Sequence, residues 1–353
     1  MSIFMGNVND FEDEEEILDD FDIILNEIEE EEERQKELQS AVPDIFGLKE
    51  TKKSKSSKPT QKEFLDLVDG VTQKHENDRI SKPKQNGIGS RKLYTGGTVS
   101  DFFMNGLQKV WEMDSDYQED LIRLLMSEIR KVPECILDEY VKYLRDMKAF
   151  MNVNEEYMPV LFGDSIRSIE YGVFESEVEN RYDGRFMMPL QFLDSTIQGF
   201  VGWSPVDNPL EPTIKYLYPK KEILKKANIL FCTQDIYKRA LRDGYLCLTD
   251  GLFDAISLNV IGINAASFCG SAITEFHKYA LSKIKHKIIV PDNDTAGTKL
   301  YNNAKFLMSN VHAITQTETK DIDDYLKDES RINKLKSEFE LWKSVGFIGN
   351  LTL

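Results

Sequence analysis

Between Tyr245 and Thr315 the chain alternates short apolar runs with longer segments whose apolar residues recur every three to four positions. Tyr245 to Thr249, Ile261 to Phe268, Lys287 to Val290 and His312 to Thr315 have strand length, and Phe253 to Asn259, Ala272 to Ile284 and Thr298 to Met308 have helical period. Strands alternating with crossover helices predict a parallel sheet with flanking helices, an α/β unit over residues 244–328. Upstream, residues 152–243 mix short strands and turns. Phe186 to Leu190 and Thr196 to Trp203 predict an antiparallel pair around Asp194-Ser195, in a mixed α+β subdomain. Residues 96–151 have the pattern of a small helical region: Phe102, Leu107, Val110 and Trp111, then Leu121, Leu124, Leu125 and Ile129, and, after Pro133, Ile136, Tyr140 and Leu144. Ile332 to Trp342 predicts a helix in the final segment, 329–353.

Residues 1–95 lack this patterning. An acidic part is followed by a polar stretch rich in Lys, Ser and Thr, too charged and too poor in aromatics to offset the entropy of ordering, so a disordered tail and linker is expected. Ile17, Leu18, Phe21, Ile24, Leu25 and Ile28 nonetheless fall at helical spacing. They fit either an amphipathic helix that docks on a partner or a solvated tail.

Charge changes the picture less than its total suggests. The 353 residues carry a formal −17, but Asp10 to Glu33 holds 15 acids and no base, and the rest sets 46 acids against 44 bases. A nucleic-acid partner is therefore not excluded. Lys215, Lys220, Lys221, Lys225, Lys226, Lys238, Arg239 and Arg242 form either a basic groove or a solvated helix face. Cys135, Cys232, Cys247 and Cys269 have no Cys-x-x-Cys spacing and read as buried free thiols in a reducing compartment; with the four His they offer no zinc spacing. No run is long enough to span a membrane and the N-terminus is acidic, so a cytoplasmic protein is expected.

Candidate chemistry sits at the strand ends. Asp250 and Asp254 follow the first strand, Asp292 and Asp294 the third, and Asp321, Asp323 and Asp324 the fourth. In an open parallel sheet ligands bind beyond the carboxyl ends of the strands, so these acids converge. Each cluster alone fits a helix cap or an acidic loop. Three together point to a hard divalent cation, Mg²⁺ or Mn²⁺, held by oxygen.

The same residues resemble the Toprim module of primases, topoisomerases and certain nucleases: an acid-Gly turn at Asp250-Gly251, Asp292-x-Asp294 with Ala296-Gly297, and Lys320-Asp321-x-Asp323. Gly184-Arg185 with Pro189, Gln198-Gly199-Phe-Val-Gly202, Lys215-Tyr216-Leu217 and Gly270-Ser-Ala-Ile-Thr274 are similar, in order, to elements of the DnaG-type primase catalytic core. Three positions depart from that pattern: Asp250 stands for Glu, Trp203 for Arg and Tyr218 for Asn.

The resemblance implies template-directed synthesis of RNA primers from NTPs on single-stranded DNA by nucleotidyl transfer, in phage-type DNA replication with a replicative helicase as partner. It implies two Mg²⁺ or Mn²⁺ ions on Asp250, Asp292, Asp294, Asp321 and Asp323, catalytic roles for Asp250, Asp254, Asp292 and Asp294, and nucleotide or template contacts from Arg185, Lys215, Tyr216 and Lys226. The zinc-binding domain common in the family has no counterpart spacing here. Two other readings remain at this point: a Toprim nuclease, and a catalytically weak replisome adaptor.

Overall fold

The computed structural model describes residues 61–80, 99–154, 156–162, 182–191, 196–206, 214–221, 224–270 and 272–353. The acidic segment, Lys52 to Lys58 and the Asp194-Ser195 turn lie outside them.

Five parallel strands run in the order β6-β5-β7-β8-β9: β5 Tyr245–Thr249, β6 Ala265–Ser267, β7 His286–Ile289, β8 Val311–Thr315 and β9 Leu351–Thr352. Side chains alternate across each strand, and both faces are covered. From β5, Tyr245 and Cys247 point to one face, where α6 (Leu252–Val260), α9 (Ile322–Tyr325) and α10 (Glu329–Ser344) supply Leu258, Tyr325 and Phe339. Leu246 and Leu248 point to the other, against α5 (Gln234–Asp243), α7 (Glu275–Leu281) and α8 (Thr295–Leu307). The predicted α/β unit is therefore present, with β6 shorter than its apolar run, since Gly262 at φ +92° turns the chain before the strand, and α7 confined to Glu275–Leu281. β9 was not expected; two residues carry no periodic signal, and it is held by pairing with β8.

A second sheet, antiparallel throughout, joins β1 Phe150–Met151, β2 Phe186–Gln191, β3 Ile197–Trp203 and β4 Tyr216–Leu217 in that order. α4 (Tyr157–Phe162) packs on it with Phe103, Phe150 and Phe200.

The helical region comprises α2 (Val99–Leu124), a π-helical turn over Leu125–Ile129, and α3 (Glu134–Asp146), with Pro133 at its N-cap. One apolar cluster runs from Leu121, Tyr140 and Leu144 through Phe186, Val201 and Trp203 to Leu252, Phe253 and Ile256 of α6. The helical region thus packs directly on the helix that follows β5. Part of the stretch expected to be disordered is ordered: Gln61–Ile80 forms α1, with Phe64 and Val68 buried against α2 and Thr72 within 2.8 Å of the Tyr117 hydroxyl. Phe64, Val68 and Val71 have helical spacing that the surrounding charge hides. Cys232, Cys247 and Cys269 are buried, but Cys135 is exposed, because α3 turns it away from the core its neighbour Ile136 enters.

Among the described residues no helix is long and apolar enough to cross a membrane.

Candidate metal centre

The acids gather at the carboxyl edge of the parallel sheet. β5 ends at Thr249, whose hydroxyl donates to the Gly251 carbonyl at 2.7 Å, while the Ser267 hydroxyl at the end of β6 donates to the Asp250 carbonyl at 3.0 Å. This pins the turn that places Asp250 at the rim and Asp254 in the first turn of α6. A Cβ at Gly251 would overlap the Asp254 carboxylate, so that turn needs glycine for close approach. Asp250, Asp254 and Asp292 each present an oxygen within 4.8 Å of the others, and Asp321, Asp323 and Asp324 do the same. The Asp323 N–H donates to Asp254 Oδ1 at 3.1 Å, which joins the two groups.

Asp292 and Asp294, both expected as ligands, part company. Asp292 turns into the cluster, whereas Asp294 is exposed and caps α8, its Oδ1 accepting from Gly297 N at 2.9 Å. Gly297 also lets the helix start against the Asp292 backbone, which a Cβ there would strike. Asn293 N donates to the Lys320 carbonyl at 2.7 Å and ties this loop to the next. Asp321 caps α9 by accepting from Asp324 N at 2.8 Å, and Asp324 pairs with Lys327.

Electrostatics record the crowding. Burial, then the charges of Asp321, Asp323 and Asp292, raise the Asp254 carboxyl well above its ordinary value. Burial followed by Asp250 and Asp321 pushes Asp292 up to about 7, although Lys320 Nζ stands 3.8 Å from its Oδ2. Burial likewise raises Asp321. Carboxylates whose pKa is raised because burial and one another's charge oppose ionisation are short of positive charge. The donors are oxygens, with no His or Cys in either group. A hard divalent cation such as Mg²⁺ or Mn²⁺ fits this set.

Of the predicted phosphate contacts, Lys215 lies on the exposed surface yet near enough to the acids for Asp321 and Asp254 to affect it; partial desolvation, Arg130 and Lys320 lower its pKa. Its ammonium is 5.3 Å from the Tyr216 ring centre. Arg185 Nη1 donates to the carbonyls of Ile214 (2.8 Å) and Gly202 (3.3 Å), bracing the strand end that carries Lys215. Lys226 begins a short 3-10 turn, and its side chain lies outside the described residues. Trp203 is fully buried, 4.9 Å from the Phe253 ring, so it serves the core rather than the surface.

One residue at the acid cluster has no sequence signal. Arg130, at the end of the π-helical turn, pairs with Asp323 across 193 positions of chain. Its guanidinium lies 4.1 Å from the Phe253 ring centre and 5.6 Å from that of Trp203. Burial opposes its charge, but Asp323 together with Tyr216, Tyr140 and Asp254 more than offsets that and raises its pKa.

Residues 247–326 match a family model described as Toprim-like. The DNA primase of Aquifex aeolicus is 28% identical over 151 residues, 41% of this chain and 30% of that protein. The DNA primase of Buchnera aphidicola is 29% identical over 150 residues, 42% of this chain and 25% of that protein. The chain therefore spans less than a third of the length of these curated relatives. Among solved structures, the zinc-binding and RNA polymerase domains of Aquifex aeolicus primase match with a TM-score of 0.53 at 18% identity, over 78% of this chain and 73% of that one. The DnaG primase catalytic domain bound to single-stranded DNA matches with a TM-score of 0.52 at 18% identity, over 67% and 78%. The chain has the fold of the DnaG-type primase catalytic core, with a Toprim-like domain.

Proposed function

We propose that this chain is the catalytic core of a DNA primase, joining NTPs into short RNA primers on a single-stranded DNA template with Mg²⁺ or Mn²⁺ as cofactor. The observation that carries the reading is the acid cluster at the carboxyl edge of the Toprim-like sheet, with Lys215 facing it from the antiparallel sheet in the primase fold. The solved catalytic domain bound to single-stranded DNA supports the choice of template.

In this reading Asp250, Asp254 and Asp292 hold one ion, and Asp321 with Asp294 completes the field for a second. Bound there, the ions would lower the pKa of the attacking 3′-hydroxyl and offset charge on the leaving pyrophosphate. The protein's own groups do the rest. Asp292 holds a proton at its carboxylate near neutral pH and gives it up as the site fills. Lys215, an exposed ammonium that the acids keep at the rim, meets phosphate oxygens of the incoming nucleotide, and Arg185 keeps that strand end in place. Tyr216 and Lys226 extend the contact surface toward the template. The replicative helicase remains the proposed partner, and residues 17–28 a proposed docking segment.

The test supplies single-stranded template, four ribonucleotides and Mg²⁺ and analyses the products. Short RNA that disappears with EDTA supports the proposal. Cut DNA in its place would make the protein a Toprim nuclease, and no reaction with either ion would leave a binding role only.

A further inference from the structure

We infer that Arg130 is a positioning residue of the metal centre: it commits Asp323 to an internal ion pair, so that Asp323 braces Asp254 without coordinating, and it sets the net charge the ion meets. This rests on the metal reading above and departs from the ligand set that the sequence implies.

Both carboxylate oxygens of Asp323 are taken. Ser257 Oγ donates to Oδ1 at 2.6 Å and the Arg130 guanidinium donates to Oδ2, while the residue is only 7% exposed. The Tyr140 hydroxyl lies 3.1 Å from Ser257 Oγ. Since Ser257 donates to Asp323, Tyr140 donates to Ser257, and α3 joins the same network. An ion on Oδ2 would share one oxygen with a guanidinium, placing two cations together in a buried site. Through its N–H, by contrast, Asp323 already orients Asp254, one of the three acids whose oxygens converge.

Arg130 is placed there by the backbone. The π-helical turn ends with Arg130 N donating to the Leu125 carbonyl at 2.9 Å, and Lys131 follows at φ +56°, which ends the helix and directs the chain toward Pro133. π-Helical turns recur at functional sites. The guanidinium is held over the Phe253 ring, and its Nε is buried without a hydrogen-bond partner. A side chain kept only for packing would avoid that orphaned donor, whereas one kept to place positive charge accepts it.

The experiment measures Mn²⁺ binding by calorimetry, and melting with and without Mn²⁺, for the full chain and its variants. Asp292→Asn, which removes an ion-facing oxygen, should weaken binding at least about tenfold. The pair Arg130→Met/Asp323→Asn leaves net charge unchanged and no lone buried charge, and should stay within about threefold of wild type. Arg130→Met alone uncovers Asp323, lowers the metal-free melting temperature and raises Mn²⁺ affinity about tenfold, while Arg130→Lys returns it toward wild type. If the double variant binds as poorly as Asp292→Asn, Asp323 is a ligand and the inference falls. It also falls if Arg130→Met melts lower with unchanged Mn²⁺ affinity, because Arg130 is then structural only. Should Arg130→Met not fold, the double variant decides. A wild-type protein that bound no Mn²⁺ would overturn the metal reading itself and this inference with it.

Discussion

Asp292→Asn should make the metal-free protein more stable while abolishing its response to metal. Asp292 titrates near 7 instead of its ordinary 3.8 because burial and then its acidic neighbours oppose ionisation. At about 1.4 kcal/mol per pH unit the gap sets an upper bound of about 4 kcal/mol. The side chain keeps 17% of its exposure, and the neighbouring acids share the same repulsion, so about 1–3 kcal/mol is the working figure. The sign follows from the raised value. The unfolded chain ionises above about pH 4 at no cost and the folded chain only near 7, so stability is lost across that window and the penalty is complete above it. Asn does not ionise. The variant's advantage should be full at pH 8, absent at pH 4, and equal to about 2–12 °C in melting temperature, at about 2–4 °C per kcal/mol. Melts in EDTA and in Mg²⁺ from pH 4.5 to 8 read this directly, with wild type gaining from Mg²⁺ at high pH and the variant not. A variant that melts at or below wild type in EDTA at pH 8 would refute the reasoning, as would an advantage that does not shrink toward pH 4.5.

Asp250→Ala should be inactive in primer synthesis and Asp250→Glu at least partly active with an altered Mg²⁺ to Mn²⁺ preference, since Mg²⁺ tolerates poor geometry least; full activity of the Ala variant would make the turn structural only. Gly297→Ala puts a Cβ into the Asp292 backbone and should cost about 1–3 kcal/mol, read as a lower melting temperature together with a smaller gain from Mg²⁺. Removing residues 1–40, which lie outside the described residues, should leave basal synthesis equal or higher, most clearly at low salt, and reduce only synthesis coupled to replication partners. Loss of basal activity with a drop in melting temperature would show that the segment packs on the core.

The parallel sheet was legible because strands covered on both faces have apolar centres, and Leu246-Cys247-Leu248 of β5, Ile288-Ile289 of β7 and Ala313-Ile314 of β8 supply them inside short runs followed by acids. The split between Asp292 and Asp294 was not legible, since residues two apart share a face while the chain stays extended; Asp294 is instead taken up in capping α8, and only Asp292 enters the cluster. What escaped notice were elements whose stability comes from elsewhere. Leu351–Thr352 is a strand only because β8 offers an open edge, and Phe64 and Val68 hold a helix only because α2 offers Tyr117 and its neighbours.

Arg130 was hidden for a further reason. Sequence motifs report residues that act on a ligand from the same loop or helix, and their spacing carries the signal. A counter-charge acts by being near, and nearness here is made by three packing steps: α3 on α6 through Tyr140 and Ser257, Trp203 against Phe253, and the π-helical turn that aims the guanidinium between them. None of these imposes a spacing on the sequence around Arg130, whose neighbours Ile129 and Val132 read as ordinary helix-end residues. The acids without it would have one more uncompensated charge in a site where burial and like charge already push Asp292 up to about 7. In the proposed reading the helical region is therefore part of the metal centre's electrostatics, and the centre extends 120 residues upstream of the first acid at its rim.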